Sequence, residues 1–293
     1  MYLEPPCWHD RIVGATSRDP LSPLLDRILG PAKAHRIGHE DFGTGAGDAE
    51  ADVLAAIRER AGEVHDRLVH ENDVFTVEFV GSTGGGKTEL IEQLLDRAPP
   101  EESIGAVVGD VAGEDDATRL REYGIPVKNV NTGKECHLDP DGVGDALSAF
   151  DLADLDTLFV ENVGNMVCPA DFPLGASLRV LVVSTTEGDD VVGKHPLLVQ
   201  SVDAAVVNKV DLADAVGTDL DRLHEDIHRT APDLPVFETN ARAGAGVDEL
   251  NEFLRSRRGT HQEHGSEEHA HSHSHDHSHD HDHSHDHVHH EHS

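Results

Sequence analysis

Cysteine, basic residues and long apolar runs are all scarce in this chain. Its 293 residues include 3 cysteines, Cys7, Cys136 and Cys168. A count so low and odd does not build a disulfide framework. No run of about 18 apolar residues occurs, so no membrane-spanning helix is expected. Lysine and arginine total 23 against 57 acidic residues, for a formal net charge of −34. A surface of that sign repels phosphate backbones, which argues against nucleic acid as a partner. The N-terminal MYLEPPCWHD lacks the basic-then-apolar order of a secretory signal, so a cytoplasmic location is expected. Acidic residues run along the whole chain rather than collecting in tails. That pattern suits concentrated salt, where screening over about 3 Å at 1 M removes most self-repulsion.

What is present divides the chain in three. Residues 1–50 are rich in Pro and Gly and hold no sustained period, so they are expected to be poorly ordered and to end in a linker, GHEDFGTGAGDAEAD. Residues 51–258 carry the pattern of one α/β domain. Val53, Ile57, Ala61, Val64 and Leu68 recur at helical spacing. Seven short Val-rich runs then alternate with helical segments: DVFTVEFVG, IGAVVGD, VKNVNT, TLFVENV, LRVLVVSTTE, AAVVNKVDL and PVFETNA. Such alternation predicts a mostly parallel sheet with helices on both faces. The helix VDELNEFLRSR is expected to close the core near residue 257. Residues 259–293 have almost nothing apolar to bury and are expected to be disordered.

GSTGGGKT at 81–88 fits the phosphate-loop pattern, between the strand FTVEFV and the helix ELIEQLLDR. Gly81, Gly84, Gly85 and Gly86 let backbone N–H groups curl around a β-phosphate at a helix N-terminus, with Glu89 in that helix's first turn. Lys87 is placed for the β- and γ-phosphates and Thr88 for Mg²⁺. About 120 residues on, NKVD ends the run AAVV. The Asp211 carboxylate can accept from both guanine N1–H and the 2-amino group, which adenine lacks. Asn208 and the stem of Lys209 are expected to flank the base, and TNA at 239–241 to lie near it. The nucleotide read from these residues is GTP.

Two further loops at strand ends carry cysteine. NTGKECHLD holds Cys136 beside His137, and ENVGNMVCPA holds Cys168 before Pro169. Isolated cysteines are often small buried hydrophobes. A Cys–His pair on the ligand edge of an open sheet, together with a His-rich tail, favours metal ligation. Thiolate and imidazole suit Zn²⁺ or Ni²⁺, and the residues alone do not choose between them. Three ligands per chain leave a tetrahedral site short of one, which a two-fold dimer would remedy.

Taken together, GSTGGGKTEL, GDVAGEDDATRL, NTGKECHLD, ENVGNMVCPADFPLG, STTEGDD and VVNKVDL resemble the HypB-type nickel-insertion GTPases of [NiFe]-hydrogenase maturation, over about residues 52–257. The related urease-type nickel GTPases lack the pairing of CHLD with ENVGNMVCPA. The resemblance implies a P-loop GTPase that dimerises on binding nucleotide, with a Ni²⁺ or Zn²⁺ site at Cys136, His137 and Cys168 near the dimer interface. It places Asp110 and Asp116 in the first switch, and Glu161 near Mg²⁺ and the γ-phosphate. Lys87, Asp116 and Glu161 are the implied catalytic residues, with Asp116 open to a plainer reading as a solvated acid. Implied partners are a second copy, the hydrogenase large subunit and a companion nickel carrier. Slow hydrolysis is expected, since no arginine finger is evident in the chain. The alternatives are a nickel or zinc store whose G domain only controls dimerisation, and a GTPase serving another nickel enzyme. Where many members carry a Cys-rich N-terminal motif, this chain offers only Cys7 and His9.

The tail carries 15 of the 24 histidines within residues 261–293. They include His271, His273, His275, His277, His279, His281, His283, His285 and His287, at every second position. Imidazoles on a flexible strand wrap Ni²⁺ without a preformed cage, so the tail reads as a nickel reservoir. A zinc buffer and an expression tag are the plainer readings, although a tag is usually an unmixed run. Binding by the tail should fade below about pH 6.5, because only neutral imidazole ligates.

Overall fold

A computed structural model describes residues 46–133 and 135–271, with side chains placed for 52–133 and 135–259. Cys7, His9 and His273 through His287 lie outside the described residues, and the side chain of His271 is not placed.

The seven Val-rich runs form seven strands: β1 Phe75–Val80, β2 Ile104–Asp110, β3 Val127–Asn131, β4 Thr157–Glu161, β5 Leu178–Ser184, β6 Ala204–Asn208 and β7 Val236–Thr239. They make one sheet in the order β3-β2-β4-β1-β5-β6-β7, and every neighbouring pair is parallel. The helices are α1 Ala46–His65, α2 Lys87–Leu95, α3 Asp115–Arg121, α4 Pro140–Ala146, α5 Pro196–Gln200, α6 Ala213–Val216, α7 Leu220–Thr230 and α8 Val247–His271.

Alternate side chains along each strand feed opposite faces. Val77, Phe79, Val180, Val182 and Val206 pack with Leu90 and Leu94 of α2, Leu120 of α3 and Leu250 and Leu254 of α8. On the other face, Val80, Leu181, Val183 and Val207 meet Leu198 of α5 and Leu223 and Ile227 of α7. Beside them Val107, Leu158 and Val160 meet Val64, Leu68 and Val143 of α1, the π-turn Asp66–His70 that follows it, and α4. Burial on both faces explains why β1 and β5 are buried along their whole length and are mostly apolar, Glu78 and Arg179 being their charged residues.

Two boundaries differ from the sequence expectation. α1 starts at Ala46, inside the stretch read as a linker, where Ala46, Ala49 and Ala51 favour a helix. Its apolar stripe is buried from Ala61 onward, while Val53 is 59% exposed. α8 continues past Arg257 to His271. The apolar period stops near Leu254, so the extension follows the helix propensity of residues such as Gln262, Glu263 and Glu267 rather than packing.

Parallel register brings all strand ends to one carboxyl edge. Phe79 and Val108 both pair with Glu161, and Ser184 pairs with Asn208. The segments after β1, β2, β3, β4 and β6 therefore converge where ligands bind open α/β sheets.

Candidate nucleotide and metal site

The loop after β1 enters α2 through Gly86, whose φ of 98° lies in the left-handed region that favours glycine. Lys87 is buried and folds back on the loop, its Nζ donating to the carbonyls of Gly81 (3.3 Å) and Ser82 (3.1 Å). Burial lowers the Lys87 pKa, opposed by the charges of Glu161, Asp116 and Glu187. Thr88 Oγ1 donates to Glu161 Oε1 at 2.8 Å. The other carboxylate oxygen of Glu161, Oε2, is buried with no hydrogen-bond partner among the described residues. Burial pushes the Glu161 carboxyl up to about 7, opposed by Lys87. A buried carboxylate oxygen left over beside a threonine hydroxyl fits the oxygen-donor demands of Mg²⁺.

The two aspartates expected in the first switch are held differently. Asp110 ends β2, and its Oδ1 accepts from the Ala112 N–H at 3.1 Å. Asp116 lies in the first turn of α3, 3.5 Å from Arg119, which forks onto Glu92 at 2.9 and 2.6 Å. Glu89, in the first turn of α2, is within electrostatic reach of Arg119.

At the base end, Asp211 is exposed in the turn Val210–Leu212. Lys209 adopts φ 60° and its Nζ donates to the Gly84 carbonyl at 2.6 Å. Asn208 has a bracing role that its motif did not reveal. Its amide is fully buried, donating to Gly85 O at 3.0 Å and accepting from Thr239 Oγ1 and Ala241 N–H, each at 3.0 Å. The side chain is thus spent on bracing the phosphate loop against the end of β7. Thr239 and Ala241, expected near the base, hold Asn208 in that position. Glu187 was not anticipated. It caps the turn after β5, accepting from Ser184 N–H at 2.9 Å, and supplies negative charge to Lys87.

The cysteine loops meet. Cys136, His137 and Cys168 bring their ligand atoms within 4.8 Å of one another. The two sulfurs are 2.8 Å apart and Cys136 Sγ is 3.9 Å from His137 Nδ1. The hydrogen bond with Cys136, together with burial, raises the Cys168 pKa. The His137 ring stacks on Phe172 with centroids 3.9 Å apart. Thiolate–imidazole sets of this kind fit Ni²⁺ or Zn²⁺. Beside the cluster lies an open groove of about 580 Å³, lined by Val53, Ile57, Arg60, Asp139 and Phe172.

Both cysteine loops are wired to the nucleotide side. Asn165 N–H donates to Gly81 O at 3.0 Å and Thr83 Oγ1 donates to Gly164 O at 3.1 Å, so the phosphate loop rests on the segment leading to Cys168. The Asp110 carbonyl accepts from Thr132 N–H at 2.8 Å, at the root of the loop carrying Cys136. These contacts of ENVGN are not evident from its residues alone. Gly164, three residues past the end of β4, was the available signal.

A parallel sheet with a phosphate loop after a central strand, a buried lysine and a threonine–carboxylate pair defines a P-loop nucleotide-binding protein. Residues 75–238 match the family described as CobW/HypB/UreG, nucleotide-binding domain. The chain belongs to that family and, within it, groups with the HypB proteins. It is 43% identical over 207 residues to the probable hydrogenase maturation factor HypB of Methanocaldococcus jannaschii, covering 71% of this chain and 93% of that one. The hydrogenase maturation factor HypB of Azotobacter vinelandii is 34% identical over 245 residues, covering 81% and 78%. Among solved structures, HypB from Archaeoglobus fulgidus is 40% identical, with a TM-score of 0.65, covering 70% of this chain and 99% of that one. HypB from Helicobacter pylori in complex with nickel is 29% identical, with a TM-score of 0.66, covering 70% and 96%. The family and fold class read from the sequence are upheld. No helix of the described residues is long and apolar enough to cross a membrane.

Proposed function

We propose that this chain is a GTP-hydrolysing nickel metallochaperone that delivers Ni²⁺ during [NiFe]-hydrogenase maturation. The observation that carries this reading is the cluster of Cys136, His137 and Cys168, hydrogen-bonded through its loops to the phosphate loop and to the end of β2. Nickel is the cargo. The nickel-bound HypB structure among the neighbours supports that metal over zinc.

On GTP binding, Lys87 exchanges the carbonyls of Gly81 and Ser82 for the β- and γ-phosphates. Thr88, Glu161, Asp110 and Asp116 are the groups that would hold Mg²⁺, which supplies charge neutralisation for phosphoryl transfer. Asp211 reads guanine, and Asn208 and Lys209 keep the phosphate loop in shape for it. Hydrolysis is slow, because Arg119 is held by Glu92 rather than free to stabilise the transferred phosphoryl group. Nucleotide-dependent dimerisation would supply the fourth ligand, and Val167, 61% exposed beside Cys168, suits a contact there. The hydrogenase large subunit and a companion nickel carrier are the proposed partners in a cytoplasmic pathway, with the His-rich tail as reservoir.

The test counts nickel ions per chain at neutral pH in high salt. It compares the full chain with one ended at residue 260, each with GDP and with a non-hydrolysable GTP analogue. A stoichiometric, nucleotide-sensitive site kept by the short form and lost on Cys168→Ala supports delivery from the G domain. A short form that binds no nickel in either state leaves the tail as the whole of the nickel chemistry and overturns the proposal.

A further inference from the structure

Two charged residues sit inside strands that are otherwise apolar. Glu78 is at the centre of β1 and Arg179 is the second residue of β5, with side chains 1% and 9% exposed. Their Nε–Oε2 contact is 2.8 Å. Neither touches the nucleotide side, and neither is explained by packing. A buried ion pair contributes little stability compared with an apolar pair of the same volume, so its retention calls for another role.

That role follows from what the pair holds. Glu78 Oε1 accepts from the amide nitrogen of Asn162 at 2.8 Å. Asn162 is 1% exposed, and its Oδ1 accepts from the backbone N–H of Leu138 at 3.0 Å and of Val163 at 2.8 Å. Leu138 follows His137 directly. On the other side, Arg179 donates to the carbonyl of Pro169 at 3.1 Å and to that of Phe172 at 3.2 Å. Pro169 follows Cys168 directly, and the Phe172 ring stacks on His137. One buried chain, Leu138–Asn162–Glu78–Arg179–Pro169, therefore ties together the two loops that carry the metal ligands. Asn162 also follows Glu161, whose side chain faces Thr88. Adjacent residues of one strand end thus serve the nucleotide and metal sides respectively.

We infer that Glu78, Asn162 and Arg179 are positioning residues that set the separation of His137 and Cys168, and hence the affinity of the cluster for nickel. This rests on the metal reading above. Hydrogen-bonded supports of metal ligands typically contribute about 10–100-fold to affinity.

The experiment titrates Ni²⁺ into the full-length protein and follows the thiolate-to-nickel charge-transfer absorption. Cys136 and Cys168 give that band and the imidazoles of the tail do not, and Cys7→Ser in every sample removes the third thiol. GDP affinity is measured in parallel. Asn162→Ala is expected to weaken the band-reporting affinity at least tenfold while GDP affinity stays within twofold. Arg179→Lys keeps the charge beside Glu78 but cannot span both carbonyls, and should weaken nickel in the same way. It provides the test if Asn162→Ala does not fold. Unchanged nickel affinity in a folded variant would overturn the inference. So would parallel losses of nickel and GDP affinity, the mark of a purely structural role. A wild-type protein without the band would overturn the metal site itself and the frame with it, a result distinct from either variant outcome.

Discussion

Gly164→Ala tests the contact between the phosphate loop and the segment leading to Cys168. A Cβ at position 164 would lie 2.2 Å from Thr83 Oγ1 and 2.6 Å from both Thr83 Cα and N. Carbon contacts are optimal at about 3.5–4.0 Å, so the two backbones must separate by about 1 Å. The Thr83–Gly164 and Asn165–Gly81 hydrogen bonds span that gap and would be stretched or lost. Overpacking and two lost hydrogen bonds together cost about 2–4 kcal/mol. If about 1.4 kcal/mol of this falls on the loop's phosphate-binding shape, GDP affinity drops about tenfold. Calorimetric titration with GDP and a thermal melt read both effects. Gly144→Ala is the control. Its Cβ would meet only Val64 Cγ2, at an ordinary 3.6 Å, within α4. There alanine should stabilise by about 0.5–1 kcal/mol and leave GDP binding unchanged. A Gly164→Ala protein with wild-type stability and GDP affinity would refute the argument that these two segments move as one body.

Asp211→Asn should lower GDP affinity at least about 100-fold, as two hydrogen bonds to a charged acceptor at about 1.5–3 kcal/mol each are removed or reversed, and it should favour a xanthine nucleotide. Competition between GDP and XDP reads this directly. With the Glu161 carboxyl raised to about 7, it is largely protonated at pH 6 and must lose that proton to hold a cation. Mg²⁺ affinity in the GDP complex should therefore fall about tenfold from pH 8 to pH 6, and Glu161→Gln should abolish the dependence. With a net charge of −34, the fold should be most stable above about 1 M salt and lose stability in dilute buffer. Melts across a salt series would show a flat profile if that reasoning is wrong.

Much of this was legible from the residues because short Val-rich runs and glycine punctuation are local signals. All seven strands lie in the quoted runs, and the phosphate loop stands between β1 and α2 as its motif requires. The boundaries of α1 and α8 were less legible. Both helices extend through residues that favour a helix by propensity and carry no apolar period, so the apolar pattern stopped short. The inward bonding of Asn208 was not legible because a motif names a residue without its direction. Its amide turns inward to Gly85, Thr239 and Ala241. The frame around Glu78 had a visible sign, a lone acid in FTVEFV and a lone base in LRVLVV. Only the parallel register of β1 beside β5, pairing Glu78 with Arg179, shows that the two meet.

In the proposed function, nucleotide and metal affect each other through the shared segment from Glu161 to Cys168. The most direct test is the affinity of Cys136, His137 and Cys168 for Ni²⁺, read by the thiolate band, with GDP and with a non-hydrolysable GTP analogue bound. The two affinities should differ at least fivefold, with a matching nickel-dependent change in the affinity ratio of the two nucleotides, because coupling is reciprocal. Equal nickel affinity in the two states would contradict it.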